Sequence, residues 1–197
     1  MAAKPRIGVL SLQGDVREHV RVLTELGVDV SLVRRPDELA AVDGLVIPGG
    51  ESSVMDKLAR AFGMQQPIRD AIAKGLPVYG TCAGLILLAD RVTDGIAGQE
   101  SFGGLDVTVQ RNAFGSQVDS FETELVVDAF GGAPVHATFI RAPLVTVVGA
   151  RARALASLPD GRVVAVEQDN LLGTAFHPEV AGELRFHERF LNRVRAN

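Results

Sequence analysis

The chain has one cysteine, Cys82, and its surroundings suit a nucleophile. In Gly80-Thr81-Cys82-Ala83-Gly84 a glycine lies two residues to either side, between an apolar run and a helical stretch. A strand-to-helix turn that tight admits only small flanking residues and projects its central side chain from the end of a sheet. A helix starting there adds positive dipole charge beside the sulfur, which favours the thiolate. The Ala83 N–H is then a candidate oxyanion donor. A lone cysteine is more often a buried hydrophobe. The paired glycines and the strand–turn–helix setting favour the reactive reading.

A cysteine nucleophile needs a base held by a further group. Phe176-His177-Pro178-Glu179 offers one: in an extended segment residues i and i+2 face the same side, so Glu179 can orient the His177 imidazole. His19, His136 and His187 have no carboxylate at that spacing and are expected to be structural or solvent-facing. Pro48-Gly49-Gly50-Glu51-Ser52-Ser53 follows another apolar run. Glycines at the carboxyl end of a strand let the backbone approach a ligand, and open α/β sheets bind ligands at that end. The Gly50 N–H is a candidate second oxyanion donor. Arg111 and Arg141 follow or end strand-like runs, and either can grip a substrate carboxylate in a bidentate contact.

These residues need a scaffold. With 197 residues, 47% hydrophobic and 22% charged, the chain can bury roughly 70% of its unfolded surface and is expected to be one globular domain, residues 1–197. A net charge of −4 argues against a nucleic-acid binder. One cysteine forms no internal disulfide, and no Cys/His cluster has metal spacing. No apolar run approaches the length of a membrane span, and the N-terminal segment lacks a secretory h-region. A cytoplasmic protein without a metal is expected.

The hydrophobic pattern alternates between strands and helices through the first half. Strands are predicted at 6–12, 28–33, 44–47 and 77–79. Helices are predicted at about 15–26, from Pro36, from a Ser52 or Ser53 cap to 62, at 66–74 and at 85–89. That order implies a parallel sheet covered on both faces. The second half reads as short strands at 105–110, 121–127, 135–140, 144–148, 163–168 and 171–176, then a closing helix at about 183–194. It should add mainly antiparallel strands. The fold class is α/β: three layers, flavodoxin-like, with a mixed, mostly parallel sheet.

Seven segments, GVLSLQGDVREH (8–19), PGGESS (48–53), GTCAGL (80–85), RNAFG (111–115), VDSFE (118–122), FIRAP (139–143) and FHPE (176–179), together resemble the glutaminase family of pyridoxal 5′-phosphate synthase. The elbow and His-x-Glu are shared by class I glutamine amidotransferases generally. The Leu-Gln-Gly start, PGGES and R-N-x-F-G are narrower to this branch. The resemblance implies Cys82 as nucleophile, His177 as base and Glu179 as its orienting carboxylate. It implies a glutamine site lined by Gly50, Glu51, Ser52, Arg111, Ile140 and Arg141, and no cofactor. It further implies that ammonia passes to a separate synthase subunit that builds pyridoxal phosphate from a pentose phosphate and a triose phosphate. Two positions depart from the family pattern: Ala113 where Ser is frequent, and Val180-Ala181 where Leu-Thr is common. Amidotransferases of histidine, tryptophan or purine synthesis lack PGGES. Cysteine hydrolases with a similar elbow carry Glu where this chain has Gln13. A non-catalytic scaffold has no need of the full Cys/His/Glu set.

Overall fold

The computed structural model describes residues 4–113 and 120–197. Phe114-Gly115 of the RNAFG segment and Val118-Asp119 of VDSFE lie outside the described residues. Among the described residues, β1 (Arg6–Leu10), β2 (Asp29–Val33), β3 (Gly44–Ile47), β4 (Val78–Thr81) and β12 (Leu171–Thr174) run parallel, in the order β2-β1-β3-β4-β12. Beyond β12 the order continues β11 (Val163–Gln168), β9 (Leu144–Val148), β6 (Leu105–Gln110) and β5 (Ala89–Thr93). There the pairing is antiparallel until β5 and β6, which are parallel again; β10 (Arg153–Ser157) joins β11 antiparallel. A separate antiparallel ribbon pairs β7 (Ser120–Leu125) with β8 (Val135–Ile140).

Sequence chemistry explains the division. The runs GLVI and LLGT are buried at every residue, as parallel strands covered on both faces must be. By contrast β6 and β8 alternate buried with more exposed residues, the pattern of strands with one wet face.

Two neighbouring residues of β4 locate the helical layers. Tyr79 packs its ring on His187 and Phe190 of α7 (Arg185–Ala196). A Cβ on Gly80 would strike Gly84 of α5 (Ala83–Leu88) at 2.5 Å. Successive strand residues face opposite ways, so α7 and α5 cover opposite faces. Helix α1 (Val16–Glu25) lies beside α7, joined by the buried His19–His187 contact. Helices α3 (Ser52–Ala61) and α4 (Gln65–Ala73) accompany α5, and the single turn α2 (Pro36–Leu39) lies against β2. The result is the three-layer, mostly parallel α/β arrangement that the pattern predicts.

The elements β5 and β10 were not predicted. Ala89 closes α5 and opens β5 with no turn residue between them, so the hydrophobic run reads as helix throughout. The residues of β10, RALAS, are largely exposed and owe their conformation to pairing with β11. The cap of α3 is Glu51, whose side chain accepts from the Ser53 N–H, rather than a serine. The predicted serine cap lost to a carboxylate that is held in place by a second partner, Arg111.

Glu167 ties β11 to the last helix. Its buried carboxylate accepts a bidentate pair from Arg189 (2.8 and 2.8 Å) and further bonds from Arg193 and Arg153. Burial opposes its charge, but the guanidinium bonds win and hold its pKa down at about 2, against 4.5 for a free glutamate. A depressed carboxylate contributes stability above the unfolded pKa and loses it as the pH falls toward the folded one. Glu167→Gln should therefore be less stable at pH 7. Its stability should also fall less steeply than that of the native chain between pH 4.5 and about 2, as measured by urea unfolding at a series of pH values.

Candidate active site

The carboxyl ends of four adjacent strands, β1, β3, β4 and β12, meet along one edge, and each delivers a loop to it. Cys82 follows β4 and His177 follows β12. These two strands pair in parallel with Thr81 opposite Thr174, and the Cys82 N–H donates to the Thr174 carbonyl at 2.7 Å. The register thus brings the two chemically distinctive residues to one point. Cys82 has φ +50° and ψ −102°, a strained backbone for a residue with a Cβ. The turn survives because its flanks are bare. A Cβ at Gly84 would lie 2.1 Å from the Ile47 carbonyl oxygen, just as one at Gly80 meets Gly84. Ala83 is the first residue of α5, where helical N–H groups lack an intrahelical acceptor.

His177 is buried, and its N–H donates to the Thr138 carbonyl of β8 at 3.0 Å. Its Nδ1 lies 2.8 Å from Glu179 Oε1, which leaves Nε2 for the Cys82 sulfur. The expected extended geometry is not what brings His177 and Glu179 together. His177 is the N-cap of a single helical turn, α6 (Pro178–Ala181), and Glu179 lies inside that turn. Pro178 at the first helical position favours the turn. A capping side chain and the next-but-one residue still meet, so the pairing stands by a different route.

Burial opposes a charge on His177, but the bonds to Cys82 and Glu179 outweigh it and raise the pKa to about 10. Burial pushes the Glu179 carboxyl up, against the His177 bond that pulls it down. The sulfur on one side and the Glu179 carboxyl on the other thus favour the charged form of the ring. Asp15 Oδ2, at 3.6 Å from His177 Nδ1, is a second and more distant carboxylate.

A cavity of about 320 Å³ opens over the sulfur. Gly50, Glu51, Ser52, Arg111, Ile140 and Arg141 all line it, together with Cys82 and His177. Glu179 lies buried behind His177, and Ala83 is buried beside Cys82 without reaching the cavity wall. The two arginines differ. Arg111 is buried and donates to Glu51 Oε1 at 2.7 Å; the same oxygen accepts from the Ser53 hydroxyl at 3.0 Å. Arg141 is exposed, has φ +43° and makes no hydrogen bond or ion pair among the described residues.

Sequence reasoning missed Asp15, Ile86 and Asn112 as cavity residues. Asp15 follows the Gln13-Gly14 turn, and its N–H donates to the Gly49 carbonyl at 3.0 Å. Gln13 Oε1 accepts from the Glu51 N–H at 2.9 Å. The turn after β1 therefore holds the glycine loop after β3. The absence of a side chain at Gly14 is essential there, because its Cβ would sit 1.9 Å from the Gly49 oxygen. The only available signal was that β1 and β3 are both apolar runs ending in glycine-containing turns.

Residues 9–196 match the SNO glutamine amidotransferase family. The chain is 70% identical over 194 residues to "Pyridoxal 5′-phosphate synthase subunit PdxT" of Leifsonia xyli subsp. xyli, covering 98% of each chain. A solved structure described as a glutamine amidotransferase superposes with TM-score 0.88 at 41% identity, over 95% of this chain and 98% of the other. The structure of PurLQS from Thermotoga maritima aligns at TM-score 0.73 and 19% identity, over 96% of this chain and 98% of that one, and speaks to the fold alone.

Because Cys82 is the only cysteine, alkylation reads the site directly. At pH 7 His177→Ala should react with iodoacetamide roughly 10-fold more slowly than the native chain, since the thiolate is the reacting species and loses its cationic neighbour. The difference should close as the pH rises toward about 10, where the native ring loses its charge. Mass spectrometry of the modified peptide measures both rates.

Proposed function

This chain belongs to the SNO glutamine amidotransferase family, and from that premise we propose that Cys82, His177 and Glu179 are its catalytic triad. The chain is a glutaminase subunit: it hydrolyses L-glutamine to L-glutamate and ammonia for pyridoxal 5′-phosphate synthesis. The observation that carries the residue assignment is the His177 ring, bonded through Nδ1 to Glu179 and turned toward the sulfur at the foot of the cavity.

The mechanism follows from the charges. The Cys82 thiolate attacks the side-chain amide carbon of glutamine. The oxyanion that forms is stabilised by backbone N–H groups of Ala83 and Gly50; one such donor is typically worth about 10²–10³ in rate. The His177 imidazolium gives its proton to the departing nitrogen, and ammonia leaves as the thioester forms. The neutral ring then takes a proton from water, hydroxide adds to the thioester carbonyl, and collapse releases glutamate and the thiolate. Glu179 keeps the ring in one tautomer throughout. No metal or organic cofactor takes part in this scheme.

Arg141 is the direct partner of the glutamine α-carboxylate in our reading, because among the described residues its guanidinium has no partner while that of Arg111 is taken up by Glu51. Arg111 then braces Glu51 and, through it, the loop bearing Gly50 and Ser52. Arg141→Ala should raise KM for glutamine by about 10-fold or more with kcat nearly kept, as for loss of ground-state binding. Arg111→Ala should lower kcat as well, since it loosens the oxyanion loop. Steady-state kinetics of both variants separates the roles.

The relatives are named as subunits of a synthase, and the chain works with such a partner. We take that partner to be the subunit that joins a pentose phosphate, a triose phosphate and ammonia, in the cytoplasm. Coupling has a physical basis in the glycine loop. The Gly49 carbonyl is bonded to Asp15, and in a trans peptide the Gly50 N–H points the opposite way. With φ +153°, Gly50 has the freedom that a flip of this peptide requires. A partner that docks on the Gln13–Asp15 turn and releases that bond would reorient one oxyanion donor. Adding the synthase subunit to the pure chain should raise kcat for glutamate formation by about 10²–10³, with a smaller change in KM. Cys82→Ser should stay inactive under both conditions. Full activity of the isolated chain would remove the gating while leaving the triad; turnover by the serine variant would remove the triad.

A further inference from the structure

We propose that His19 is a positioning residue of the triad, a neutral imidazole whose Nε2–H steadies the Glu179 carboxylate that orients His177. The inference rests on the triad reading above and concerns what holds the triad's buried acid.

Glu179 is fully buried, yet no cationic side chain other than His177 meets its carboxylate among the described residues. Arg21 reaches only its backbone carbonyl, at 2.9 Å. Oε2 has no hydrogen-bond partner. Oε1 faces two imidazoles, His177 Nδ1 at 2.8 Å and His19 Nε2 at 3.5 Å. The other charged group nearby, Asp15, is itself an acid. A buried carboxylate needs donors to remain ionised. The backbone N–H of Glu179 supplies one, and among the described residues His19 is the side-chain candidate besides His177.

The tautomer of His19 follows from its neighbours. Nε2 lies 3.0 Å from Thr81 Oγ1 as well as 3.5 Å from the carboxylate. An ionised carboxylate only accepts, so the proton belongs on Nε2, shared unequally with Thr81 the nearer. A lone pair there would instead confront the carboxylate. Nδ1 is then an acceptor and takes the Nε2–H of His187 at 2.9 Å. This arrangement leaves His187 Nδ1 as a bare acceptor, which matches its lack of any partner. Burial, with the charges of His187 and His177 adding to it, holds His19 well below the usual histidine range. Burial takes His187 down to about 3 despite Glu183 nearby. Tyr79 packs edge-on against both rings, its hydroxyl beside Thr174. The contact between His19 and Glu179 is therefore a dipole on a charge, not an ion pair.

The placement is specific. Thr81 precedes the nucleophile, and His19 lies one helical turn beyond Asp15 on the helix that follows the Gln13-Gly14 turn. The same imidazole touches the elbow strand and the triad acid.

Two measurements test this. In uniformly ¹⁵N-histidine-labelled native chain, His19 should show the neutral Nε2–H tautomer from pH 6 to 9; an Nδ1–H tautomer or an imidazolium would overturn the assignment whatever the variants do. In complex with the synthase subunit, His19→Leu should lose about 10–100-fold in kcat, the range known for losing an outer hydrogen-bond partner of a metal-bound histidine. KM for glutamine should stay within about twofold. The acid limb of kcat should move to higher pH, because a carboxylate deprived of a donor holds its proton more tightly. His19→Gln, which can present an N–H at similar reach, should recover most of the loss. Native kcat in the leucine variant, or equal losses in both variants with an unmoved acid limb, would refute the proposal. Glu179→Gln tests the underlying triad separately: native activity there would remove the triad itself, independently of His19.

Discussion

The parallel pairing of β4 with β12 is the constraint on which the rest depends. It sets Thr81 opposite Thr174, so that Cys82, one residue beyond β4, and His177, three residues beyond β12, leave two adjacent strand ends. A slip of one residue would turn every side chain of one strand to the other face. The Cys82 N–H, bonded to the Thr174 carbonyl, pins the elbow to the partner strand at the point where the backbone is most strained. The strain is affordable because β3 and β4 are buried on both faces and cannot relax outward. Scaffold and chemistry are thus one set of hydrogen bonds, not a rigid frame with a site attached.

Around this pair the molecule arranges charge by burial. Cys82, His177 and Glu179 form a line from the cavity floor into the interior, and the environment becomes drier along it. The charged imidazole lies between two groups that can each carry a negative charge. The imidazoles of His19 and His187 stay neutral one layer further in. Elsewhere the chain handles a buried acid differently, surrounding Glu167 with guanidinium groups. The contrast is one of electrostatic response. A carboxylate clamped by several arginines is fixed in charge, whereas one held by imidazoles can respond as a proton moves next to it.

Much of this was legible in the residues. Gly80 and Gly84 announced the elbow because no other residue fits against a backbone carbonyl. Continuous runs such as GLVI announced strands covered on both faces. The Phe-His-Pro-Glu segment gave the right partners through the wrong geometry, since pairing at i and i+2 is compatible with both an extended strand and a capped helical turn. What the sequence concealed is tertiary. RALAS is a strand only because β11 lies beside it. Arg111 and Arg141 are indistinguishable by type and context until Glu51 is seen to occupy one of them. His19 looked like an ordinary helix residue because its partners are 62, 160 and 168 positions away.

The ribbon of β7 and β8 is a separate sheet, yet it supplies Ile140 and Arg141 to the cavity. It is joined to the main body by the His177–Thr138 backbone bond and by an aromatic run in which Phe121 stacks on Phe139 at 4.5 Å, Phe139 meets Phe176 and Phe176 meets Phe186. Under the proposed roles, the residue that would grip the substrate, Arg141, and the residues that would react with it are therefore mounted on different sheets with a packed aromatic joint between them. Such a layout is modular in the evolutionary sense. A lineage can reshape the ribbon to accept another amide, or to close more tightly on the same one, without re-solving the harder problem of keeping a strained cysteine and a charged histidine in register.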